Sequence, residues 1–194
     1  MSSETRAPEP PGAGAPAADA ALTPADREAL REIAVEAVRR AVAKRDPAET
    51  AGAGSLAAMR GVFVSIYVGG RLRGCLGRPR PERALAETVA EMAAAAAIED
   101  DRFEPVAPDE IPRLRVEISV LSEPTPVSGP DEIVVGRDGV VVEAGDRVGL
   151  LLPQVATRCR LSAAAFLAEA ARKAGLPPDG WRRAAVARFT AEAF

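Results

Sequence analysis

The sequence predicts an α+β fold: two hairpin–helix–strand repeats that form one barrel-like, mostly antiparallel sheet with flanking helices. Three observations predict it. Two hairpin patterns, opened by Gly-Val-Phe-Val at 61–64 and Gly-Val-Val-Val at 139–142, turn at Gly69-Gly70 and Gly145-Asp146. Each hairpin is followed by a segment with helical periodicity and then by a strand. The chain of 194 residues, 47% apolar and 27% charged, suits one domain with a substantial core. Residues 1–21 are expected as a disordered Pro/Ala-rich tail and 22–194 as a single domain, with internal repeats at about 61–121 and 139–194.

Taken in order, "TPADREALREIAVEAVRRAVA" opens with Thr23 as N-cap, Pro24 at the first helical position and Asp26 three residues after the cap. Leu30, Ile33, Ala34, Ala37, Val38 and Ala41 then form one apolar stripe. A loop leads to the hairpin "GVFVSIYVGGRLRGCLG". The next helix, in "PERALAETVAEMAAAAAIEDD", has Pro81 near its start, and its alanines allow close packing on a sheet. "RLRVEISVL" alternates as a half-buried strand, and "SEPTPVSGPDE" is a connector. The second hairpin runs through "GVVVEAGDRVGLLLPQ". Ser162 caps the next helix, Gly175 stands just past its end, and "RRAAVARFTAEAF" is the final strand.

Composition removes several classes of function. The chain has no histidine, which excludes Ser-His-Asp and Cys-His nucleophile systems and imidazole metal sites. Its net charge of −3 offers no global basic field for nucleic acid or an anionic membrane surface. Two cysteines, Cys75 and Cys159, are too few for a disulfide scaffold or a four-thiolate metal site. There is no secretory h-region and no apolar run near the ~20 residues of a membrane helix, so a cytoplasmic location is expected. No acidic loop has the spacing of a dedicated cation site, no metal is expected, and the cofactor is unknown.

The candidate site centres on "RLRGCLG". A regular two-residue turn pairs Arg71 with Val68, Arg73 with Ile66 and Cys75 with Val64, all on one sheet face. Arg73 then lies roughly 6–7 Å from Cys75 along the strand, where its charge would favour the thiolate. Gly74 and Gly77 would let a ligand or another backbone approach the sulfur. The same register also puts Cys75 against Val64 and Ile66, where a free cysteine packs as a small hydrophobe. Both uses remain open. Asp100, Asp101 and Arg102 follow the second helix, where the carboxylates could bind a cation or position a substrate, or simply form a solvated salt bridge at the helix terminus. Gln154 could present an amide to a ligand or brace its loop, "GRDG" at 136–139 is a tight turn, and Cys159 is incidental.

Six blocks in this order, "GVFVSIYVGGRLRGCLG", "DRFEPV", "LRVEISVLSEP", "VGRDGVVV", "GLLLPQVA" and "KAGLPPDGW", resemble the AMMECR family, called AmmeMemoRadiSam system protein A in prokaryotes. The resemblance spans about residues 25–194. Arg73 to Gly77 matches its Arg-Gly-Cys-Ile-Gly hallmark with leucine for isoleucine. Asp101 stands where the family often has proline, and Gly180 where relatives can carry cysteine. The resemblance implies one α+β domain of two repeats, and company: a Memo-like protein and a radical SAM enzyme. It implies no particular reaction. Two functions are therefore carried forward. One is a binding or adaptor component of such a system, taking a small-molecule or peptide ligand. The other is a cysteine-dependent enzyme or catalytic subunit using Cys75, with Arg73, Asp101 or Arg102 assisting.

Overall fold

The structure is a computed structural model that describes residues 21–50 and 52–194. The tail expected over 1–21 lies, Ala21 apart, outside the described residues. Helix α1 (Pro24–Val42) starts with the expected capping box: Thr23 Oγ1 accepts from the Asp26 N–H, and the Asp26 carboxylate accepts from the Thr23 N–H. Leu30, Ala34 and Val38 are its fully buried face.

Strands β1 (Val62–Val68) and β2 (Arg71–Arg78) form the first hairpin, with positive φ at both Gly69 and Gly70 as a type I′ turn requires. Helix α2 (Leu85–Ile98) begins four residues later than Pro81, because the proline-bearing segment stays irregular until Leu85. Strand β3 (Leu114–Leu121) follows, with β4 (Thr125–Pro126) in the connector. In the second half, β5 (Asp138–Ala144) and β6 (Arg147–Leu151) turn at Gly145, whose φ is +62. A short helix α3 (Pro153–Arg158), absent from the sequence expectation, precedes α4 (Ala163–Lys173). Ser162 caps α4 and Gly175 closes it with φ +70, both as expected. Strand β7 (Ala185–Ala193) completes the chain.

All pairings are antiparallel, in the order β2-β1-β3-β7-β5-β6 with β4 beside β7, and the sheet curls into a half-barrel. One face is covered by helices. Val62, Val64, Ile66, Ile118 and Val120 pack under α1 and α2, and Val140, Val142 and Val186 pack under α4 with Phe166, Leu167 and Trp181. On the opposite face, Leu121, Val141, Leu150 and Phe189, with Phe63, join the two halves.

The two halves repeat the same close approach of strand to helix. A Cβ at Gly74 of β2 would stand 1.8 Å from the Ala96 carbonyl oxygen of α2. At Gly149 of β6 it would stand 1.9 Å from the Ala170 carbonyl oxygen of α4. Only glycine lets these edge strands lie against helix backbone. Both positions face the helices, and this fixes the direction of every neighbouring side chain.

Candidate functional site

Strand β2 does not keep a regular register. Val68 pairs with Arg71 and Tyr67 with Leu72, but Ile66 then pairs with Gly74, Ser65 with Cys75, Val64 with Leu76 and Phe63 with Gly77. Arg73 is the extra residue of a β-bulge. The expected pairing of Arg73 with Ile66 and of Cys75 with Val64 is therefore corrected. The bulge reverses the alternation beyond Arg73, so Gly74 meets α2 and Cys75 points to the opposite face. Cys75 shares that face with Phe63, Ser65 and Tyr67, not with Val64 and Ile66. The second hairpin shows the same geometry without the insertion: Glu143 pairs with Val148 and Val142 with Gly149 directly. Arg71-Leu72-Arg73-Gly74-Cys75 thus matches Arg147-Val148-Gly149-Leu150 with one residue added.

Around Cys75 the face is polar. Ser65 Oγ donates to Cys75 Sγ at 3.2 Å, across the strand pair. On the far side of Ser65, β3 brings Glu117, and the adjacent row is Leu72, Tyr67 and Arg115. Cys75, Ser65 and Tyr67 are half-buried, whereas Glu117 and Arg115 are exposed. Burial pushes the Tyr67 phenol above its ordinary value, and the charges of Glu117 and Cys75 push the same way. Hydrogen bonding to Ser65 and the charge of Arg158, at the end of α3, oppose that rise. Tyr67 therefore stays a neutral phenol at physiological pH. Cys75 and Glu117 lie on either side of β1, about 10 Å apart at the backbone, a span that suits a small ligand group. The matching row in the second half is Leu150, Val141 and Ala187, and Leu150 and Val141 pack with Phe189 and Leu121.

Two residues after α2 hold Cys75 by its backbone. Asp100 Oδ2 accepts from the Cys75 N–H at 2.8 Å, and Arg102 Nη2 donates to the Cys75 carbonyl at 2.8 Å. Arg102 also donates to both Asp100 oxygens, through Nε at 2.8 Å and Nη2 at 2.7 Å. The Arg102 hydrogen bonds hold the Asp100 carboxyl down at about 2, helped by the Cys75 N–H and opposed by burial.

Arg73, expected beside the thiol, is committed elsewhere. The bulge turns it to Glu110, with Nε donating at 3.0 Å and Nη2 at 2.9 Å, and this bidentate pair lowers Glu110 to about 2. It is a brace between β2 and the turn that precedes β3. Gly74 serves the helix contact rather than a ligand. Gly77 lies opposite Phe63, whose ring a Cβ there would meet at 2.3 Å. Asp101 is exposed, and the carboxylate that reaches Cys75 is its neighbour Asp100. Gln154 lies exposed in the first turn of α3, and its backbone carbonyl braces Thr157. Within "GRDG", Asp138 is buried by Arg137, Arg188 and the Val134 N–H, a structural use. Cys159 is exposed and unpaired.

The sequence reading named Cys75, Asp100 and Arg102, which the structure brings together, and did not place Ser65, Tyr67 and Glu117 beside the thiol. The extra residue of the first hairpin relative to the second was the signal that could have found them. Among the described residues no group of three or more carboxylate, thiol or imidazole side chains is arranged to hold a metal ion.

The model of the AMMECR1 family matches residues 31–194. The chain belongs to the AMMECR1 family. A Thermococcus gammatolerans relative is 50% identical over 130 residues, covering 63% of each chain, so the match spans less than two thirds of that relative. A Methanothermobacter thermautotrophicus relative is 46% identical over 143 residues, covering 70% of this chain and 74% of that one. The crystal structure of the uncharacterized protein PH0010 of Pyrococcus horikoshii is similar at a TM-score of 0.76 and 38% identity. It covers 84% of this chain and 88% of that chain. The AMMECR1 match contains both hairpins and the whole Cys75 face.

Proposed function

We propose that this AMMECR1-family chain is a binding component of a system with a Memo-like protein and a radical SAM enzyme, and that the Cys75 face receives the ligand or partner-borne group. One observation carries the reading. At matching positions of two similar half-sheets, the second half presents Leu150, Val141 and Ala187, of which Leu150 and Val141 pack with Leu121 and Phe189. The first presents Cys75, Ser65 and Glu117, beside Tyr67. A thiol, a hydroxyl, a carboxylate and a phenol gathered on one strand face suit recognition of a polar group better than a second core. The matching registers also support a duplicated unit within one domain, and the unpaired Cys75 and Cys159 fit a reducing, cytoplasmic setting.

The test is co-purification of the full chain with the Memo-like and radical SAM proteins, in the parent and in Cys75→Ala and Glu117→Gln variants. A complex weakened about tenfold or more by either substitution is expected. No complex, with or without the substrates of those enzymes, would remove the proposal.

A second reading has its own support. The Ser65 hydroxyl donating to Cys75 Sγ is a bond that would hold a thiolate, which favours Cys75 as a nucleophile. Iodoacetamide labelling of the native chain against pH, with Cys75→Ala and Cys159→Ala assigning the signal, decides it. Labelling of Cys75 in the native chain is expected, at a rate that rises with pH. A thiol that reacts only after denaturation would end this reading.

A further inference from the structure

We infer that Asp100 and Arg102 are positioning residues for Cys75, holding its backbone at the sheet edge so that the thiol is presented only to the face it shares with Ser65 and Glu117. The inference rests on the reading of Cys75 as an accessible, functional thiol.

Strand β2 is the outer strand of the sheet. In an antiparallel ladder the N–H and C=O of one residue point to the same side, and at Cys75 both point outward. Such edge groups ordinarily face water or recruit another strand. Here a carboxylate with only 2% of its side chain exposed takes the N–H, and a guanidinium that is 58% exposed takes the carbonyl. The same guanidinium bonds both carboxylate oxygens, so the three groups form one closed unit. Burying an anion is costly unless its lone pairs are satisfied, and these are.

The second half shows what simple capping looks like. The Leu150 carbonyl, at the position matching Cys75, accepts from Lys173 Nζ at 2.9 Å, and no carboxylate among the described residues takes its N–H. Of these two matched positions, the one with the additional lock is the one whose side chain is a thiol. It also pins the non-hydrogen-bonded Ser65–Cys75 pair, whose closeness lets Ser65 Oγ reach the sulfur.

The titratable and charged groups around the thiol's face are Tyr67 of β1, Glu117 and Arg115 of β3 and Arg158 at the end of α3, with Asp100 and Arg102 on the Cys75 backbone, while Arg73 is held by Glu110. Removing one member of the Asp100–Arg102 pair leaves the other's charge uncompensated at the backbone of Cys75. The two removals should therefore act in opposite directions, which mere loosening of the strand would not do.

The experiment is iodoacetamide labelling of the full chain against pH in a Cys159→Ala background. Arg102→Gln should raise the midpoint by half a pH unit or more, slowing labelling at pH 7 by about threefold. Asp100→Asn should lower the midpoint, and Arg102→Lys should return it toward the parent. Hydrogen exchange supplies a measurement on the unsubstituted chain: the Cys75 amide should be protected although it sits on an edge strand. Shifts of the same sign, no shift, or rapid exchange at Cys75 would overturn the inference while leaving the thiol reading intact. Parent chain that labels only when denatured would overturn both.

Discussion

At the scale of single residues, two carboxylates carry the acid response of the region around Cys75. Asp100 is held at about 2 by hydrogen bonds from Arg102, and Glu110 at about 2 by hydrogen bonds from Arg73 and the Ala107 N–H. Both values lie below those of the unfolded chain, so the native state binds fewer protons there. Their stabilisation is complete above the ordinary carboxylate values of 3.8 and 4.5 and is lost as pH falls toward about 2. For buried Asp100 this amounts to about 2 kcal/mol. Urea midpoints should therefore stay level from pH 7 to 5 and decline between about pH 4.5 and 2. Asp100→Asn should be less stable at pH 7 and show a shallower acid decline. An acid profile identical to the parent's would mean that the Asp100 pair contributes nothing to stability.

At the scale of elements, β2 is fixed by what its glycine touches. Gly74→Ala would drive a methyl into the Ala96 carbonyl, and Gly149→Ala would do the same at Ala170. Each should cost about 3 kcal/mol or more, since backbone on both sides leaves little room to relax. Thermal unfolding of the two variants checks this, and an unchanged midpoint in either would show that the strand can move off its helix. Gly74 also explains what the sequence made legible. Gly69-Gly70 announced the turn, and the alternation of Val62, Val64 and Ile66 announced the buried face of β1. Counting by twos from that turn nevertheless placed Cys75 on the wrong face, because a bulge carries no local signature. Arg73 looks like any exposed strand residue until its long-range partner Glu110 is known. The helix α3 was equally hidden, its six residues being too few to show a helical period after the apolar run at 150–152. Tyr67 and Glu117 read as ordinary exposed strand positions, and only three-strand pairing brings them beside the thiol.

At the scale of the whole molecule, the two halves meet through a narrow seam. Strands β3 and β7 share the pairs Ser119–Ala193, Val120–Glu192 and Leu121–Ala191, and Ile118 exchanges backbone hydrogen bonds with Phe194 at 2.9 and 3.1 Å. The Arg31 guanidinium lies over the Phe194 ring at 5.2 Å, and Arg27 pairs with Glu192, so α1 of the first half holds the end of the chain. Behind the seam, Phe63 and Leu121 pack with Val141, Leu150 and Phe189. This shared cluster predicts that the halves unfold together. Trp181, the single tryptophan, is buried in the second half, whereas most of the helix content belongs to α1 and α2 in the first. Denaturation followed by Trp181 fluorescence and by far-UV circular dichroism should give coincident curves. Phe189→Ala, which empties a site only 2% exposed, should lower stability by about 3–5 kcal/mol. It should move both curves equally, because the lost ring supports the first half through Phe63 and Leu121 as much as the second through Val141. Curves that separate, with fluorescence changing first, would show two independent halves, and the Cys75 face would then need no support from the second.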